Sequence, residues 1–150
     1  MDEFNSIDEI LDFAIAGEAE AIEFYTDLAG QMDNPAMREV FESFAKEEHG
    51  HKVRLEEVKK GNIQSKSGDV ADLKIADYMV DVTPSPDMDY QSAIILAMKK
   101  EKAAFKLYTT LAAKMQYPEL REMFLSLAQE EAKHKLRFEI EYDDVVMKEN

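Results

Sequence analysis

Two short patterns recur 83 residues apart, and both consist of metal-ligating side chains. Glu18 returns as Glu101, and Glu48-x-x-His51 returns as Glu131-x-x-His134. Together they supply four carboxylates and two imidazoles, which is the inward-facing ligand set for two metal ions in a helical bundle. Nitrogen and oxygen donors without sulfur suit iron, with manganese or zinc as alternatives. Each imidazole would give one nitrogen to a metal, and its other nitrogen would donate to an outer partner. Glu48 and Glu131 share a helix face with the histidines, so they are the expected bridges, with Glu18 and Glu101 terminal.

A lone Glu-x-x-His on a helix carries little weight, because surface helices are rich in both residues. The repetition changes that. Between residues 35–56 and 118–139, 12 of 22 positions are identical, and between 18–29 and 101–112, 6 of 12 are. Chance would give roughly one or two in 22, so the chain contains an internal duplication. The ligand residues also lie on apolar stripes, where carboxylates lacking counter-charge would be costly to bury. Two divalent cations would balance four such charges.

Four helices are needed to position these groups. The first follows a capping box, Ser6 with Glu9, and carries Ile7, Leu11, Ala14, Glu18, Ala21, Tyr25 and Leu28 on one stripe. Glu20 and Glu23 point away from it at about 100° per residue. Asn34 caps a second helix that has Pro35 in its first turn. Its stripe is Phe41, Phe44, Glu48, His51, Leu55 and Val58, and Gly61 closes it. The third helix begins near Asp89 and carries Ile94, Ala97, Glu101, Ala104, Tyr108 and Leu111. The fourth begins at Pro118 and carries Phe124, Leu127, Glu131, His134 and Phe138.

Spacing then sets the level of the ligands. Glu18 and Glu48 are equidistant from residue 33, in the first turn, and Glu101 and Glu131 from residue 116, in the second. At 1.5 Å per residue each lies about 20 Å from its turn, so an antiparallel hairpin sets the two glutamates level. Hairpin one spans about 6–61 and hairpin two about 89–148. Residues 62–88 hold Gly68, Pro84 and Pro86 and no long periodic run. Such a connection is far longer than an up-down bundle needs, and it would let the third helix run parallel to the second. The expected fold is one all-α domain over 1–150, a ferritin-like four-helix bundle of two duplicated hairpins joined by a long crossover.

Composition narrows the function. No cysteine occurs, which excludes disulfides, thiolate metal sites and thiol nucleophiles. A net charge of −14 argues against nucleic acid as a partner. The acidic start, MDEFNS, is unlike a signal peptide, and no run approaches the ~20 apolar residues that span a bilayer. A cytoplasmic protein is expected. Tyr25 and Tyr108 sit at equivalent places two turns after Glu18 and Glu101. They are either core aromatics with satisfied hydroxyls or residues that hydrogen-bond the ligand carboxylates or pass an electron. His49 has no counterpart, since Ala132 stands there, and it lies off the stripe with Glu47 and Glu130.

The strings EAEAIEFYTDLA and FAKEEHGH, repeated as EKAAFKLYTTLA and LAQEEAKH, resemble the rubrerythrin-like branch of the ferritin-like superfamily over about residues 5–143. The resemblance implies a carboxylate-bridged di-iron site held by Glu18, Glu48, His51, Glu101, Glu131 and His134. It also implies reduction of hydrogen peroxide. Rubrerythrins draw their electrons through a rubredoxin-like domain with four cysteines. With no cysteine here, the electrons would come from a separate donor, such as a rubredoxin-like protein. Rubrerythrin also carries a further glutamate three residues after its third-helix ligand, toward which iron moves on oxidation. Ala104 stands at that position. The expected activity is therefore reduction of peroxide or dioxygen by a di-iron carboxylate protein. The alternatives are a ferroxidase or iron-storage protein, and a metal-binding structural or sensor protein without turnover. A homo-oligomer is expected, a dimer before larger assemblies, because duplicated hairpins on a long connection exchange easily.

Overall fold

The computed structural model describes residues 6–61, 84 and 88–145. The expected crossover, 62–88, thus lies outside the described residues except at 84 and 88. Four helices are present, α1 (Ile7–Gln31), α2 (Pro35–Lys60), α3 (Tyr90–Lys114) and α4 (Pro118–Val145), and no strand occurs among the described residues. None of the described helices is long and apolar enough to cross a membrane. Two compact units contain one hairpin each, α1 with α2 and α3 with α4.

The helices begin where their side chains can satisfy free backbone N–H groups. Ser6 Oγ accepts from the Glu9 N–H at 3.2 Å. Asn34 Oδ1 accepts from Ala36 and Met37 at 2.9 and 3.3 Å, with Pro35 in the first turn. Asp89 accepts from Ser92 at 2.8 Å, and that bond holds its carboxyl below the usual range. Each cap fills part of the set of N–H groups that no helix can satisfy internally. At the other end of α2, Gly61 accepts the closing role but keeps a right-handed backbone, φ −65°. Its residue type is therefore not demanded by conformation.

The hairpin turns are tight and alike. Met32 N–H donates to Ala29 O, and Met115 N–H to Ala112 O, so each incoming helix ends in the same turn. Both methionines are buried. The open ends differ. In hairpin one, Lys59 Nζ lies 2.6 Å from Asp12, which raises the lysine pKa from its ordinary value. In hairpin two, Tyr90 Oη donates to Glu141 at 2.7 Å.

The buried residues follow the stripes. Ile10, Leu11, Tyr25, Leu28, Phe41, Phe44 and Leu55 fill hairpin one, and Ile94, Leu111, Leu120, Phe124, Leu127 and Phe138 fill hairpin two. Val58 and Ala104 sit at the stripe edges and are only half-buried.

Candidate metal centre

Among the described residues, Glu18, Glu48, His51, Glu101, Glu131 and His134 are the carboxylates and imidazoles buried among these apolar side chains. Within hairpin one, His51 Nδ1 lies 3.5 Å from Glu18 Oε2 and 3.6 Å from Glu48 Oε1. Within hairpin two, His134 Nδ1 lies 3.5 Å from Glu101 Oε2 and 3.5 Å from Glu131 Oε1. The level expected from the turn positions is thus met in both hairpins. A carboxylate from one helix reaches the Glu-x-x-His pair of the next. The structure also supplies what spacing could not, because in both histidines Nδ1 is the nitrogen turned toward the carboxylates.

Each triad offers one ligand atom per residue, all within 4.8 Å of one another. Two atoms each about 2.1 Å from one ion are about 3.5 Å apart when they subtend about 115° at it. The observed separations are therefore compatible with two ligands sharing one cation. They are long for charge-assisted hydrogen bonds, which run at about 2.7–2.9 Å. Charge points the same way. Each triad sets two carboxylates against one imidazole, a donor set whose negative charge a divalent cation would balance. Two nitrogens and four carboxylates fit a pair of divalent ions.

Tyr25 and Tyr108 are both buried. Tyr25 is fully buried and stacks on Phe41 (6.4 Å between centroids, 16° between planes), with Phe44 at 5.6 Å and Phe24 edge-on at 5.0 Å. Tyr108 stacks on Phe124 at 6.0 Å and 20°. Phe41 and Phe124 lie seven residues before Glu48 and Glu131, on the same stripes. These aromatic pairs therefore form the apolar wall one or two turns from each triad. The off-stripe residues behave as expected, since Glu20, Glu23, Glu47 and His49 are exposed. Glu130 is half-buried.

Two arginines outside the ligand motifs tie the turns. Arg38 donates through Nε and an Nη to Met32 O at 3.2 and 3.0 Å. Arg121 donates to Met115 O at 3.1 Å. The signal was in the duplication, because this arginine is one of the positions kept in both copies.

The model of the rubrerythrin family matches residues 9–83 and 93–150. The chain belongs to the rubrerythrin family. Two solved structures are similar to it along nearly their whole length. A hypothetical protein from Pyrococcus furiosus is 26% identical, with a TM-score of 0.69, covering 91% of this chain and 87% of that one. An uncharacterized conserved protein from Magnetospirillum magnetotacticum MS-1 is 23% identical, with a TM-score of 0.72, covering 92% and 94%. Comparison with curated proteins gives no match. The fold is all-α, of the ferritin-like four-helix class to which rubrerythrins belong. Membership and the buried Glu/Glu/His triads together fit a di-metal site.

Proposed function

We propose that the two triads together bind two iron ions, and that the protein reduces hydrogen peroxide or dioxygen with electrons from a separate donor. The observation that carries this reading is the duplicated triad, with each Nδ1 about equally far from two carboxylates on two helices. Glu18, Glu48 and His51 of one hairpin and Glu101, Glu131 and His134 of the other would hold the ions, the histidines through Nδ1. Iron so held supplies one-electron chemistry toward oxygen species. The chain's own work is to fix these donors before the metal arrives and to neutralise its charge, on helix stripes that also bury Phe41, Phe44, Phe124 and Leu127. Tyr25 and Tyr108 are assigned to the outer layer of the site, acting on the ligand carboxylates rather than on the metal. These 150 residues contain no cysteine and so hold no rubredoxin-type iron themselves; the donor in this reading is of rubredoxin-like chemistry.

Ala104 favours a second reading. It puts a methyl group where rubrerythrins carry a further carboxylate, and it is only half-buried. A site lacking that carboxylate suits a single oxidation of ferrous iron, the iron then passing on as product. Anaerobic ferrous titration followed by peroxide, with and without an added electron donor, separates these readings. Two irons per chain, with repeated peroxide consumption when the donor is present, supports the peroxide reductase. One stoichiometric oxidation followed by iron release supports the ferroxidase. Metal-loaded protein inert to both peroxide and dioxygen leaves a structural or sensing role.

A further inference from the structure

The duplication provides an internal control for surface charge. In α1 the exposed charges are Asp8, Glu9, Asp12, Glu20, Glu23 and Asp27, and the helix has no lysine or arginine. In α3, its second copy, the exposed charges are Lys99, Lys102, Lys106 and Lys114, and the acid of the helix is the buried Glu101. A chain of net charge −14 thus presents a basic helix. Lys102 is the centre of that face. Met98, Lys99, Phe105 and Lys106 stand three or four residues from it and so surround it on the helix surface. The Phe105 ring is 38% exposed, and Met98 is half-buried. The counterparts in α1 are Ile15, Ala16, Ala19, Ile22 and Glu23. Lys99, Lys102 and Lys106 make no ion pair among the described residues, whereas Lys52, Lys59 and Lys135 each pair with a carboxylate.

We propose that this face of α3 docks a small acidic redox protein, whose electrons enter the candidate site there. The inference rests on the redox reading above and adds where the donor binds. Charge complementarity selects the partner. Three lysines beside an apolar ring steer a negatively charged protein toward α3 and away from the acidic α1. Nucleic acid and anionic bilayers are extended polyanions, which would also meet the acidic remainder of the chain. A compact acidic protein covers the patch alone. Phe105 is its anchor, an aromatic ring that loses its water on contact while the lysines form a charged rim. Position supports electron entry. Phe105 follows Glu101 by four residues, so the two are neighbours on one helix, about 5–6 Å apart at Cβ. One electron passes into the site from the donor's ferrous iron, which becomes ferric. Two such transfers, with two protons from solvent, reduce one hydrogen peroxide to two waters.

The probe is an acidic one-iron protein of the rubredoxin type, with four cysteine ligands. Isothermal titration on the full chain reads its binding, and stopped-flow reoxidation of the reduced probe by the iron-loaded protein with peroxide reads electron transfer. Both are expected to weaken steeply as salt rises. Lys102→Glu combined with Lys106→Glu should lower affinity and second-order rate at least tenfold, and Phe105→Ala should lower them at low and high salt alike. Lys46→Glu combined with Lys60→Glu makes the same change of net charge at exposed positions of α2 and should leave both unchanged. Hydroquinone, a small neutral reductant that needs no dock, reports on the site itself. A site that oxidises neither reductant would end the redox reading, while the titration still judges the face. Probe binding indifferent to salt or to the Lys102 and Lys106 changes would overturn the proposal. So would an equal loss through positions 46 and 60. Self-association that disappears with the Lys102 and Lys106 changes would assign the face to a second copy and likewise overturn it.

Discussion

Arg121 repeats, 83 residues on, the contact made by Arg38: each guanidinium donates to the carbonyl of the methionine that ends the preceding helix, Met115 and Met32. The two helices of a hairpin are thereby tied at the turn, about 20 Å from the glutamates they must hold level. Arg38→Leu removes a charged donor from a part-buried carbonyl and should cost about 1–3 kcal/mol in urea unfolding. A loss below about 0.5 kcal/mol would show that turn geometry alone sets the register. Arg121→Leu is expected to behave alike.

The placement of the six donors was legible because it depends on period and symmetry alone. Glu18 and Glu48 stand equally far from the first turn, and helix rise does the rest. Their meeting with His51 Nδ1 at 3.5 and 3.6 Å is the direct result. The choice of Nδ1 over the other nitrogen was not legible, because it depends on a side-chain torsion set by packing. Nor was the exposure of Leu125, Leu136 and Ile140 on α4, large apolar side chains set off the core face where the first copy has Glu42, Val53 and Glu57. Ala104 shows the limit of periodicity from the other side, as a stripe position that is only half-buried.

Buried carboxylates arranged for a cation should oppose the fold when no cation is present. Glu101→Gln keeps shape while removing one charge beside Glu131. The metal-free variant is therefore expected to melt higher than the metal-free parent. Its gain on adding ferrous or manganous ion should shrink. For an intact site at a hundredfold excess over the dissociation constant, that gain is about 2.7 kcal/mol. Paired thermal melts with and without metal decide the point. A metal-free variant less stable than the parent would mean that the carboxylates are already neutralised by protein groups.

Tyr90 provides a pH test in hairpin two. Burial, and then its bond to Glu141, push the phenol pKa well above the ordinary value near 10. A pKa raised on folding means the folded state favours the neutral phenol. The associated stability is complete below about pH 10 and declines as pH climbs from there toward the folded pKa. Tyr90→Phe should lose about 1 kcal/mol near neutrality, where the hydrogen bond is intact. Above pH 10 the difference between parent and variant should narrow. Urea midpoints measured from pH 7 to 11 test it, and a gap that widens with alkalinity would contradict the assignment.

Tyr25→Phe and Tyr108→Phe separate a core role from a role at the metal. Both rings stack on a phenylalanine, Phe41 or Phe124, and removing one hydroxyl preserves ring volume. If the rings act only as core, each variant should stay within about 1.5 kcal/mol of the parent and nothing else should change. A hydroxyl that serves the ligand carboxylates predicts more. Ferrous ion should still bind at two per chain, but peroxide-driven oxidation should slow at least tenfold, about 1.4 kcal/mol in the barrier. The split between unchanged binding and slowed oxidation is the decisive readout. Loss of both together would instead report damage to the triads, and loss of neither would return the tyrosines to the core.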